Sequence, residues 1–86
     1  MINRREHPVG WAQFVAELDD AHEHLGNLLK EMLDDPGYDD ANLRVDLGHV
    51  LAHLYRGWYC RNKPDNLTDE EWEAGRTAPS DLDPIA

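Results

Sequence analysis

Residues 43–63, LRVDLGHVLAHLYRGWYCRNK, leave a helix almost no side suited to open water, and this constrains the fold more than any other part of the chain. Leu43, Leu47, Val50, Leu51, Leu54 and Trp58 recur at three- and four-residue intervals and form one apolar stripe. Tyr55, Tyr59, Gly48 and Ala52 occupy a second side. His49, His53 and Cys60 lie roughly opposite the stripe, with Arg56 beside them and Asp46 at its edge. A helix that is weakly polar all round is covered on more than one side, so this segment is expected to be the spine of the fold.

The rest of the chain is organised around that spine by charge. Residues 1–42 carry ten acids and three bases, and residues 64–86 carry seven acids and one base, whereas residues 43–63 hold four bases against Asp46 alone. A mildly basic helix between two acidic segments implies that those segments pack against it. The formal net charge of −10 argues against nucleic-acid backbones and anionic membranes as partners, because both attract concentrated positive charge. No apolar run approaches the roughly 18–20 residues of a membrane span, and the start, MINRREHPVG, has no apolar stretch behind its arginines, unlike a signal peptide. Cys60 is the only cysteine, so no disulfide within the chain can reinforce it. A lone thiol suits a reducing, cytoplasmic setting.

Periodicity predicts a second long helix over about 9–33. Trp11, Leu18, Leu25 and Met32 are spaced by seven, and Phe14, Ala21 and Leu28 fall three residues after the first three of them. Val15, His22 and Leu29 widen this stripe, while Glu17, Asp20, Glu23, His24 and Glu31 fall outside it. Asp34-Asp35-Pro36-Gly37 stops the helix, and Asp39 or Asp40 is expected to cap the next. Asn62 and Pro64 close the spine helix. Thr68 and Glu71 then form a capping box that starts a short helix around Trp72, ending near Gly75. TAPSDLDPIA reads as extended chain.

These elements make one all-α domain: an N-terminal arm (1–8), an antiparallel helical hairpin (9–62) and a tail with a short helix (63–86). Trp72 is the expected anchor of the tail, helped by Leu67, Leu82 and Ile85. A chain this short buries only about 60–65% of its unfolded surface, and a two-helix hairpin cannot cover both sides of the spine. Pairing of two copies into a four-helix bundle is therefore expected, with Gly48, Ala52, Tyr55 and Tyr59, or the His49, His53 and Cys60 side, as contact surface and Trp72 as a further interaction residue.

Chemistry is sparser. His49 and His53 are four apart on one helical face with Asp46 three residues before His49, and Asp19 precedes His22 at the same spacing. His49, His53, Asp46 and His22 thus make a candidate set for a divalent transition metal, against the plainer reading of histidines hydrogen-bonded in a helix interface. Cys60 shares a face with His53 and Arg56, cations able to depress its pKa, but the preferred reading is a semi-buried cysteine used for its size. No nucleophile elbow, phosphate loop or paired-cysteine motif occurs. The sequence reads as a small acidic helical interaction or regulatory protein, homodimeric and without catalytic activity. The alternatives are a metal-binding bundle and an acidic inhibitor or nucleic-acid mimic for a basic partner.

Overall fold

The computed structural model describes residues 1–86. It is all-helical, with α1 (Pro8–Asp34), α2 (Asp40–Cys60) and α3 (Asp69–Gly75). α1 and α2 form the hairpin, and α3 packs on α2 alone. No helix is long and apolar enough to cross a membrane.

Local chemistry sets each boundary. Pro8 opens α1, where its missing N–H costs nothing. After Asp34 the carboxylate of Asp35 accepts from the Gly37 N–H at 2.8 Å and holds the turn. Asp39 caps α2 in a reciprocal pair with Asn42, each side chain accepting from the other's backbone N–H. Thr68 and Glu71 make the expected capping box at α3. Glu71 also meets Lys63 at 2.9 Å. Its carboxyl is held below the ordinary range, first by backbone hydrogen bonding at Thr68 and then by Lys63.

The two apolar stripes do not face each other squarely, which corrects the expected core. Of the α1 stripe only Ala21 and Leu28 are buried, and of the α2 stripe only Val50, with Leu43 packed against them. Leu18, Leu25, Leu29 and Met32 on α1, and Leu47, Leu51 and Leu54 on α2, each remain about 39–52% exposed. The reason is the roll of the helices. At 3.6 residues per turn, Ala21 and Leu28 sit at the edge of the α1 stripe next to Glu17 and His24. Val50 sits at the edge of the α2 stripe next to Gly57 and His53. The helices meet along these edges, so polar side chains take part in the contact and the leucines are left together on one side of the hairpin.

Both chain ends are tied to the open end of the hairpin. The Ile2 N–H donates to the Arg61 carbonyl at 2.9 Å and Ile2 is buried, so the arm is strapped to the end of α2. The backbone of residues 63–64 crosses directly over Gly10, whose N–H donates to the Pro64 carbonyl at 3.0 Å. The tail is pinned by Asp81, which accepts from the Trp58 indole at 2.9 Å and lies 3.6 Å from the Arg61 guanidinium. Trp72 docks as expected of an anchor, but against a cation: the Arg56 guanidinium lies 4.0 Å from its ring centre, and the indole stays 43% exposed. Ile85, expected to help, is fully exposed.

Candidate functional site

The polar side of the hairpin gathers most of the chain's chemistry around Glu17. Helical spacing places Glu17 and His24 on one row of α1 and His53 and Arg56 on the facing row of α2. Glu17 accepts from His53 Nδ1 at 2.7 Å with Oε2 and from Arg56 Nε at 3.2 Å with Oε1. A carboxylate only accepts, so His53 carries a proton on Nδ1. Arg56 is 5% exposed. Its charge is balanced by Glu17 on one side and covered by the Trp72 ring on the other.

His24 joins the two histidines of α2. Its ring stacks on His53, with centroids 5.0 Å apart and planes 22° apart, and meets His49 edge-on at 5.5 Å. Glu17 and His24 were visible in the sequence only as residues outside the α1 stripe. Their proximity to its buried edge was a signal, but one that required the roll of the helices to read.

The other sequence candidates stand apart. Asp46 accepts from the Tyr38 hydroxyl at 2.7 Å. This bond and the nearby charges add to desolvation, the largest cause, to push the phenol up to about 12. His22 is exposed on the leucine side of α1. Asp46, His22, His49 and His53 are thus not brought together. With side chains as placed, no group of three or more His, Cys, Asp or Glu residues is arranged to hold a metal ion.

Cys60 is fully buried and its Sγ donates to the Gly57 carbonyl at 3.6 Å. Burial pushes its pKa up, and the charge of Glu17 pushes it further. Arg56 and His53 do not depress it, because Glu17 answers both cations. A thiol in this state is inert.

Of the small and aromatic residues expected at a dimer contact, Tyr55 and Tyr59 line a cavity of roughly 280 Å³ between α2 and the tail, whose Ala78 and Pro79 form part of its other wall. Tyr59 packs its ring against Gly75. Gly48 has open space where a Cβ would stand, and Ala52 is half-buried. On the opposite side Phe14, Leu18, Leu54 and Trp58 surround an apolar notch of roughly 330 Å³, bordered by Met1 and Leu82. It opens at one end of the leucine surface. Comparison with family models, curated proteins and solved structures finds no match to this chain.

Proposed function

We propose that the chain works as a non-catalytic helical interaction or regulatory protein, in the form of a homodimer whose two hairpins pair leucine side to leucine side in a four-helix bundle. The observation that supports this reading is the exposed row of Leu18, Leu25, Leu29, Met32, Leu47, Leu51 and Leu54. Only five apolar side chains are buried within one copy, Ile2, Ala21, Leu28, Val50 and Cys60, a thin core for an 86-residue chain. The seven exposed side chains amount to on the order of 500 Å² per copy, so a pair buries about 1,000 Å², where specific interfaces begin.

Charge favours a second copy in this orientation. The wheel of α1 puts Asp19, Asp20, Glu23 and Asp34 away from the leucines, so the α1 surfaces through which two copies at −10 each meet carry no carboxylate of that helix. Glu17 holds His53 and Arg56, and Cys60 is sealed. This supports an interaction role over a catalytic one. A cytoplasmic setting, which keeps that thiol reduced, belongs to the same proposal.

Sedimentation velocity tests the pairing. The wild-type chain is expected to be a dimer at micromolar concentration, and Leu25→Glu and Leu51→Glu to give helical monomers. Ala52→Glu, away from the leucines, is expected to leave the dimer intact. A wild-type monomer at tens of micromolar would overturn this reading.

A further inference from the structure

We infer that the two hairpins of the proposed dimer lie reversed, open end over loop end, so that Met32 of one copy fills the apolar notch of the other and completes its wall. This orientation rests on the leucine-side pairing proposed above, and it gives the notch an occupant.

A two-fold pairing of two such hairpins, face to face, leaves two arrangements. With the axis along the helices, loop end lies over loop end and α1 faces the partner's α2. With the axis across them, loop end lies over open end and α1 faces the partner's α1. The exposed apolar rows fit an axis across the helices. Leu18, Leu25 and Met32 repeat every seven residues along one line of α1. An axis at Leu25 therefore sets Leu18 opposite the partner's Met32, each about 10 Å from the axis. On α2 the exposed run from Leu47 to Leu54 has its midpoint beside Leu51. Leu25 and Leu51 stand level across the hairpin, because the neighbouring His24 ring meets His49 and His53, and Ala21 and Leu28 pack with Val50. One axis serves both helices.

Shape separates the two arrangements. The notch at the open end, roughly 330 Å³, is walled by Phe14, Leu18, Leu54 and Trp58. The loop end carries projections instead: Met32 is 47% exposed and Leu33 87%. Loop end over loop end sets hollow against hollow, and the void between the two notches forfeits the contacts of both linings. Reversal seats a projection in each hollow. A methionine, unbranched and with three rotatable bonds, adapts to an irregular gap of this kind.

Charge favours the same orientation. The turn holds Asp35, Asp39 and Asp40 with no base between them, and no ion pair within the chain uses them. The arm at the open end holds the Met1 amine, Arg4 and Arg5 against Glu6 alone, and these cations have no carboxylate partner within the chain either. Met1 and Arg61 border the notch itself, and the exposed Asp81, at 3.6 Å, is the one carboxylate beside Arg61. Loop end over loop end would bring the two acidic turns together. Reversal brings each acidic turn to the partner's basic arm.

Disulfide trapping tests the orientation. Mild oxidation of the full-length chain links two cysteines only where their Cα atoms come within about 7 Å. Leu25→Cys is expected to link to itself, and Leu18→Cys to link in mixtures with Met32→Cys but not alone. The wild type, whose only thiol is sealed, is expected to give no covalent dimer. Met32→Ala is expected to weaken the dimer roughly tenfold or more in sedimentation, as for a buried anchor residue. Where a variant loses helicity, isotope-filtered NMR of the wild type decides: the labelled Met32 methyl of one copy must contact Phe14 and Trp58 of an unlabelled copy. Leu25→Cys linking only in mixtures with Leu51→Cys, or a dimer without contact between Met32 and the notch, would overturn the orientation and leave the dimer standing. A wild-type monomer at tens of micromolar would overturn the pairing itself.

Discussion

Gly10→Ala is expected to cost about 3 kcal/mol, the upper end of the range for overpacking, and to be the most damaging single-methyl change in the chain. A Cβ at this position would stand 2.8 Å from the carbonyl carbon and oxygen of Pro64, and closer still to the Lys63 carbonyl oxygen. The obstacles are backbone, so no rotamer change relieves them. Relief requires residues 63–64 to lift off α1, which breaks the bond from the Gly10 N–H to Pro64 and loosens the neighbouring anchor, where the Leu67 N–H donates to Gln13 Oε1 at 2.7 Å. Urea unfolding followed by circular dichroism at fixed protein concentration measures the effect as a lower midpoint. Small domains have about 5–15 kcal/mol of stability in total, so the variant is expected to be near its folding limit at 37 °C. An unchanged midpoint would mean that the crossing over Gly10 does not hold the tail.

Arg56→Met is expected to cost about 2–4 kcal/mol, within and just below the range for breaking a buried ion pair from one side. Glu17 keeps His53 as a partner and is 13% exposed in its side chain, which moderates the penalty. The loss is twofold. Glu17 gives up a charge-assisted bond, and Trp72 gives up the cation on which its ring rests. The second loss gives a local signature: amide exchange in residues 69–75 is expected to accelerate more than exchange in α1. Adding Glu17→Gln to Arg56→Met is expected to recover part of the stability, because a neutral amide is cheaper to leave without the arginine than a carboxylate is. A double-mutant cycle isolates that coupling, and strictly additive effects would show that the two side chains do not act together.

Much of the hairpin was legible in the sequence because its signals are local. Asp-Pro-Gly ends α1, Asp39 caps α2, and Thr68 with Glu71 starts α3, each through groups within a few residues of one another. The apolar stripes were legible as well, but not which edge of each turns inward. That depends on the roll of α1 against α2, which Glu17 with His53 and Arg56, and Gly57 against Leu18, set across the hairpin. The same roll hid His24: periodicity paired His49 with His53 along one helix, while the third ring comes from the other. Gly10 carried no local mark either, since what crosses it lies far along the chain. Trp72 was legible as a docking residue, yet its platform, a buried arginine, belongs to a residue type that composition alone places in water.

The sealed state of Cys60 makes it a built-in clock for the opening of the hairpin. It is the only thiol in the chain and is fully buried, so a thiol-specific reagent reaches it only when the segments packed at the end of α2 open or the chain unfolds. Where closing outruns labelling, the reaction rate at neutral pH reports the population of that open form under conditions that keep the rest native. The dependence of this rate on urea separates a local breathing motion, which barely changes, from global unfolding, which speeds up steeply. The residue thus measures from inside the molecule the free energy of opening this end of the hairpin, without a probe attached to its surface.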